Sequence, residues 1–262
     1  MKSILDEILE STRARVASAR KAVDVAEMRV RALQKRSAVS SHAFLSAIQQ
    51  PDRLNIIAEF KKASPSKGVI NDVADPGATA RSYEASGACA VSVLTEPAFF
   101  KGRLEDLAAI RNAVSLPILR KDFIVDEFQI YEAAEAGADA ILLIVAALST
   151  EQLRRFRSVA QDELGMDALI EVHDSEEMRI ANEIDAKLVG VNNRNLRTFD
   201  VSLDVSRELV TIAPPAASLV SESGLKSRGE LLELQSLGYS AFLIGETLMR
   251  AGGSGLSKEM LR

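Results

Sequence analysis

Six short apolar runs in this chain each stop at a charged, amide or small residue. Leu54 to Ala58 stops at Glu59, Leu116 to Leu119 at Arg120-Lys121, and Ala168 to Ile170 at Glu171. Leu188 to Val191 stops at Asn192, Ala216 to Val220 at Ser221-Glu222, and Ala241 to Ile244 at Gly245. Glu59 and Lys61 are two apart, so on an extended strand end they point the same way. Such a pair is either a proton donor with the acceptor that controls it or an ion pair closing the top of a core. Lys121 ends an apolar stretch, where desolvation is expected to lower its pKa toward the range of acid or Schiff-base chemistry. Glu171 closes its run in the same manner and suits an acid/base or a structural role. His173, two residues on, reads as a loop or rim residue. With His42 the only other histidine and Cys89 the only cysteine, the sequence offers no metal-ligand cluster.

The last two runs suggest an anion site. Ser221-Glu222-Ser223-Gly224 leads toward a helix, and Gly245 opens a short one at Glu246. Small residues let backbone N–H groups approach an anion, and a helix start adds favourable potential. The alternative is glycine used only for tight turning. The loop Lys62-Ala63-Ser64-Pro65-Ser66-Lys67-Gly68 is polar, basic and long for its place, as lids are. Phe99 and Phe100 follow the stretch near 89–94 and Phe123 the one near 116–120, as an aromatic wall or as plain packing.

These groups need a scaffold that brings distant run ends together. Residues 3–36 contain no Gly or Pro and place Ile4, Ile8, Val16, Val23, Val30 and Leu33 at roughly helical spacing, so one long helix is expected. Its basic stretch, eight Lys/Arg against two acids over 13–36, reads as a solvated face rather than a membrane surface. A short helix is expected at 41–49. After Pro51, strands near 54–59, 89–94, 116–120, 139–144, 167–171, 187–191, 217–221 and 240–244 alternate with helices near 76–86, 103–113, 126–136, 150–164, 175–184, 203–212, 226–237 and 245–250. Gly87, Gly137, Gly165 and Gly238 stand where helices end. Eight strand–helix units with continuously apolar strands predict a single closed (βα)8 TIM barrel, residues 51–262, with residues 1–50 as a helical extension packed on it. A doubly wound sheet is disfavoured because no Gly-x-Gly-x-x-Gly follows the first strand. In a barrel the carboxyl ends of the strands share one rim, where catalytic groups gather. That rim would collect Glu59, Lys61, Lys121, Glu171, Asn192, Arg194 and Glu222. The tail from Gly252-Gly253-Ser254-Gly255 onward reads as irregular, with a shortened final helix.

Composition narrows the class. With 47% hydrophobic and 26% charged residues, this is an ordinary globular chain, and no apolar run is long enough to span a bilayer. The start lacks the uninterrupted apolar core of a secretory signal. A lone cysteine suits a reducing cytoplasm. The net charge of −5 argues against a general nucleic-acid binder, though not against a small anionic ligand.

In order along the chain, IIAEFKKASPSKG (56–68), VLTEPAFFKG (93–102), LPILRKDFIVDEFQIYEAAEAGAD (116–139), LIEVH (169–173), GVNNRNL (190–196), SESG (221–224) and FLIGETLM (242–249) cover nearly the whole barrel. This ordered set closely resembles the indole-3-glycerol-phosphate synthases of tryptophan biosynthesis. The resemblance implies ring closure of 1-(2-carboxyphenylamino)-1-deoxyribulose 5-phosphate to indole-3-glycerol phosphate, with loss of CO2 and water and with no cofactor or metal. It implies Lys121 as the general acid at the substrate carbonyl and Glu171 as acid/base partner in the dehydration. Lys61 would hold the anionic group and act as a second proton source, oriented by Glu59. Asn192 and Arg194 would position the intermediate and its carboxylate, and Glu222 would contact the substrate hydroxyls. Ser223, Gly224, Gly245 and Glu246 would bind phosphate chiefly through backbone N–H groups, while Ser64, Phe100 and Phe123 shape the aromatic pocket. Some family members carry serine where Glu246 stands, and a carboxylate beside phosphate would repel it, so its side chain is expected to point away. The partner implied is a small phosphorylated aromatic substrate, with neither nucleic acid nor membrane, and a monomer is favoured. Competing readings are phosphoribosylanthranilate isomerase, the tryptophan synthase α subunit, a lysine Schiff-base aldolase, and a catalytically silent barrel acting as a binding protein. Glu59-x-Lys61 with Lys121 and Glu171 argues against the first two, the retained strand-end charges against a silent barrel.

Overall fold

Residues 3–36 fold as two helices rather than the single one expected, α1 (Ile4–Ala22) and α2 (Val25–Arg36). The Asp24 carboxylate accepts from the Ala26 and Glu27 N–H groups and starts the second helix afresh. A side chain that offers the backbone such a bond competes with continuing the helix, and neither Gly nor Pro marks the place. The computed structural model describes residues 2–250. The irregular tail expected from Gly252 lies outside the described residues.

After α3 (Ala43–Ile48) come β1 (Ile56–Phe60), the small hairpin β2 (Ala63–Ser64) and β3 (Gly68–Val69), α4 (Pro76–Ala85) and β4 (Ala90–Leu94). Next are α5 (Pro97–Phe100), α6 (Leu104–Ala113), β5 (Ile118–Lys121), α7 (Glu127–Ala136) and β6 (Ala140–Ile144). Then follow α8 (Thr150–Ser158), β7 (Asp167–Val172), α9 (Ser175–Glu183), β8 (Leu188–Asn192) and α10 (Asp204–Leu209). β9 (Ser218–Glu222), α11 (Arg228–Leu237), β10 (Tyr239–Ile244) and α12 (Glu246–Arg250) complete the described chain. Apart from β2 and β3, the strands form a closed parallel barrel in chain order, with β10 pairing back onto β1. Apart from the first helix and the one over 150–164, the expected elements are present with ends within three residues of those expected. The helix expected over 150–164 instead ends at Ser158 and continues as a π turn over Val159–Glu163. Gly87, Gly137, Gly165 and Gly238 all take positive φ where helices end.

The strands are apolar on both faces because two cores meet across them. One lies between sheet and helices and includes Phe60, Ile118, Ile170 and Val191. The other fills the barrel with Ile57, Leu119, Leu142, Leu169, Leu188, Val220 and Leu243, and Phe44 and Ile48 of α3 close its amino-terminal end. The Asp167 carboxylate fixes that closure, accepting from Leu45 N–H at 2.8 Å and lying 2.9 Å from His42 Nδ1.

The N-terminal helices are tied to the barrel by buried charge. Arg36 is almost fully buried and donates to Asp139 at 3.0 Å and to the carbonyls of Leu164, Ala138 and Gly165. Arg15 of α1 reaches Asp122, just past β5, at 3.3 Å. Removing one partner of a buried ion pair leaves the other uncompensated. Arg36→Ala is therefore expected to lower unfolding stability by about 3 kcal/mol in a urea titration. A loss within about 1 kcal/mol, the range of exposed pairs, would sink the idea that this contact anchors the extension.

Candidate active site

Side chains alternate along a strand, so the residue two beyond an inner-core residue also points into the barrel. Here that rule builds the site. Ile57 leads to Glu59 and Lys61, Leu119 to Lys121, Leu169 to Glu171 and His173, Leu188 to Gly190 and Asn192, Val220 to Glu222, and Leu243 to Gly245. Glu59, Lys61, Lys121, Glu171, Asn192, Glu222 and Gly245 line one cavity of about 890 Å³ at the carboxyl ends of the strands, together with Arg194, Ser64, Phe100, Phe123, Ser223, Gly224 and Glu246. All fourteen residues expected at the site thus share one mouth.

At its centre a lysine is held by glutamates. Lys121 Nζ donates to Glu222 Oε2 and lies 3.4 Å from Glu171 Oε2. Lys61 Nζ donates to Glu59 Oε1 at 2.5 Å. All three carboxylates are buried. Burial would lower the proton affinity of Lys121, but Glu222, Glu171 and Glu59 outweigh it and hold the ammonium above the usual lysine range. This reverses the expected shift: the desolvated lysine was anticipated without its three counter-charges. Burial also pushes the Glu171 carboxyl up, yet Lys121, His173 and Asn192 together hold it below the usual range. Glu222 goes the other way, raised by burial and by the neighbouring Glu171 and Glu59 against the pull of Lys121. Two carboxylates flanking one ammonium thus titrate in opposite directions. Glu59 stays ionised because Lys61 and Lys121 overcome its burial.

Two glycines make room for these carboxylates. A Cβ on Gly190 would lie 2.2 Å from Glu222 Oε1, and one on Gly245 would lie 2.3 Å from Glu59 Oε1. Glu222 Oε1, buried above Gly190, has no hydrogen-bond partner among the described residues.

Two of the three phenylalanines reach the mouth. Phe100 and Phe123 face each other with ring centroids 6.1 Å apart, and both line the mouth, whereas Phe99 does not. Glu96 fixes this arrangement by accepting from the N–H groups of Ala98, Phe99 and Phe100. The β2–β3 hairpin brings Ser64 and Lys67 to the rim, and α1 adds Ile4, Leu5 and Ile8.

At the opposite edge Ser223 (φ 66°) and Gly224 (φ 82°) turn in consecutive left-handed conformations. α11 begins at Arg228, two residues after the expected start at 226, so the turn does not open directly into it. α12 does begin directly after Gly245. The Glu246 carboxylate reaches toward the hairpin, 3.8 Å from Lys67 Nζ, and the residue is among those that line the mouth. Asn192 Oδ1 accepts from Ser223 Oγ at 2.9 Å and from Arg194 N–H at 3.1 Å.

Two contributors escaped the sequence reading. Asn193 points outward and is buried. It donates to Ser221 Oγ and to the carbonyls of Glu222 and Ser223, pinning the turn that follows β9. His173 does lie just past β7, but its side chain is buried between glutamates, 3.3 Å from Glu171 and 3.0 Å from Glu177. Burial would lower its pKa, but the two carboxylates raise it to about 10. Its position two residues past Glu171 was the available signal. Among the described residues no group of three or more His, Cys, Asp or Glu is arranged to hold a metal ion.

Comparison with known proteins accounts for this geometry. The family model described as "Indole-3-glycerol phosphate synthase" matches residues 5–258. The indole-3-glycerol phosphate synthase of Neisseria meningitidis serogroup C is 47% identical over 96% of this chain and 96% of its own length. That of Desulfotalea psychrophila is 48% identical over 97% and 96%. Among solved structures, the N-acetylmannosamine-6-phosphate 2-epimerase from Clostridium perfringens matches at TM-score 0.59 and 16% identity, over 80% of this chain and 92% of that one, a likeness of fold alone. With the barrel, the strand-end set and the relatives in agreement, the chain belongs to the indole-3-glycerol phosphate synthase family.

Proposed function

We propose that the mouth divides its family's reaction, the conversion of 1-(2-carboxyphenylamino)-1-deoxyribulose 5-phosphate to indole-3-glycerol phosphate, between a proton-transfer side and an anion side. A carbonyl attacked by a weak carbon nucleophile needs a positioned proton donor at its oxygen. Lys121 is that donor. An ammonium held charged by its neighbours is always loaded, and it gives up its proton as the oxygen gains alkoxide character. Loss of CO2 then restores the aromatic ring, with Asn192 and Arg194 positioning the intermediate and its carboxylate. In the dehydration the C–O bond at the former carbonyl carbon breaks, a proton leaves the adjacent carbon, and Glu171 is the acid/base partner. Lys61, oriented by Glu59, holds the anionic group and is a second proton source. Glu222 contacts the substrate hydroxyls, which suits its buried oxygen without a partner.

Ser223, Gly224, Gly245 and Glu246 bind the phosphate through backbone N–H groups, and the Lys67 contact draws the Glu246 carboxylate to one side. Ser64, Phe100 and Phe123 enclose the aromatic ring. Residues 1–50 act as a helical extension of the catalytic barrel formed by 51–262. The enzyme works as a cytoplasmic monomer on a small phosphorylated aromatic substrate, without nucleic-acid or membrane partners. No helix among the described residues is long and apolar enough to cross a membrane.

The observation that carries this reading is Lys121 held between Glu171 and Glu222 beside an aromatic pair. A Schiff-base aldolase needs a free amine, and two carboxylates on one ammonium oppose it.

A fluorescence assay for indole-3-glycerol phosphate tests the assignment. Lys121→Ala and Glu171→Gln should each lose on the order of 10² to 10⁴-fold in kcat, the range of a positioned acid or base. Undiminished turnover by either variant removes that residue's role, and a borohydride-trapped adduct on Lys121 would favour the aldolase instead. Gly190→Ala tests the room made for Glu222. A displacement of about 1 Å in a positioned group costs about 10²-fold, so kcat/KM should fall on that order while the circular dichroism spectrum is kept. An active Gly190→Ala enzyme would show that Glu222 need not sit where it does.

A further inference from the structure

Glu171 is engaged from two sides. Its Oε2 lies 3.4 Å from Lys121 Nζ, and its Oε1 lies 3.3 Å from His173 Nε2. The other ring nitrogen of His173, Nδ1, lies 3.0 Å from Glu177 Oε2. That same oxygen accepts the backbone N–H of His173 at 2.8 Å. Glu177 sits in the first turn of α9, which Asp174 caps through the N–H groups of Glu176 and Glu177. The helix start is thus a fixed post, Glu177 holds the imidazole, and the imidazole faces Glu171.

A buried structural histidine needs one donor contact and one acceptor contact, because the neutral ring carries one of each. His173 has a carboxylate at both nitrogens, an arrangement that suits the doubly protonated ring. Around it stand Glu171 on its own strand and Glu177 from α9. Beyond Glu171 are Lys121 from β5, Asn192 from β8 and Glu222 from β9. Without an imidazolium here, Glu171 and Glu222 would share Lys121 alone.

We propose that His173, clamped by Glu177, is a positioning residue that sets the orientation and the ionised state of Glu171 for its proton transfer. It touches no reacting atom and acts only through Glu171. The proposal rests on the acid/base role assigned to Glu171 above. A carboxylate with a different cation within ion-pair distance of each oxygen is favoured in one orientation of its plane, which orients the lone pair that receives the proton. The cation at Oε1 also keeps Glu171 ionised at lower pH than Lys121 could while shared with Glu222.

The test compares His173→Ala, Glu177→Gln and Glu171→Gln with wild type, measuring kcat and KM across pH with folding followed by circular dichroism and thermal melting. His173→Ala should lower kcat on the order of tenfold or more with KM changed less than about threefold, the pattern of an interaction made in the transition state. Because Glu171 must be ionised to accept a proton, and removal of a neighbouring cation raises its proton affinity, the acid limb of the kcat profile should move to higher pH. Glu177→Gln should shift that limb the same way by a smaller amount, and it carries the test if His173→Ala does not fold. A folded His173→Ala enzyme with wild-type kcat and an unmoved acid limb, alongside a crippled Glu171→Gln, would overturn the positioning role alone. Wild-type turnover by Glu171→Gln would instead overturn the reading beneath it.

Discussion

An ionised carboxylate taken out of water costs several kcal/mol unless a cation stands against it, and the mouth of this barrel buries three. That balance governs the rest of the site. Lys61 answers Glu59, and Lys121 is shared between Glu171 and Glu222. One ammonium cannot fully compensate two carboxylates, so their proton affinities separate: Glu171 is held down and Glu222 is driven up. The separation is useful, because one group stays ready to accept a proton while the other is biased to carry one. With Lys121, the His173 imidazole beside Glu171 adds to the pull that holds that carboxylate down.

Charges this close need a backbone that leaves them little freedom. Glycine supplies space at two strand positions, where any side chain would collide with Glu222 or Glu59. Outward-facing residues supply rigidity. Asn193 ties together the ends of β8 and β9, and Arg120, fully buried behind Lys121, bonds to Thr95, Asp122, Glu132 and the Gln129 carbonyl. Asp122 in turn receives Arg15 from α1, so the extension is wired to the strand that presents the central lysine. α1 therefore contributes both Ile4, Leu5 and Ile8 at the mouth and an ion pair behind it.

Much of this was legible because strand alternation is a local rule. Three adjacent pairs of similar residues show it. Lys61 enters the mouth while Lys62 turns out to Asp106, Lys121 enters while Arg120 is buried behind the strand, and Asn192 enters while Asn193 braces the turn. Parity with the inner core separates each pair without any long-range information. What stayed hidden depends on distances between strands. The sign of the Lys121 shift follows from three carboxylates on other strands, and the clamp on His173 requires knowing how α9 returns over β7. The break at Asp24 was missed for a different reason: a side-chain cap can end a helix that apolar spacing alone carries straight through.

The anion side obeys the same accounting. A carboxylate at Glu246 would work against a phosphate gripped by nearby N–H groups, because both place negative charge at one helix start. Lys67 changes that sum. At 3.8 Å it partly neutralises Glu246, and it comes from the β2–β3 hairpin rather than from the barrel. Lys101, just past α5, holds Asp72 beyond the same hairpin at 3.1 Å. The segment between β1 and α4 thus carries partly exposed ion pairs toward two sides of the mouth. A residue that looks wrong for phosphate when read alone stands, in context, beside a lysine of the hairpin.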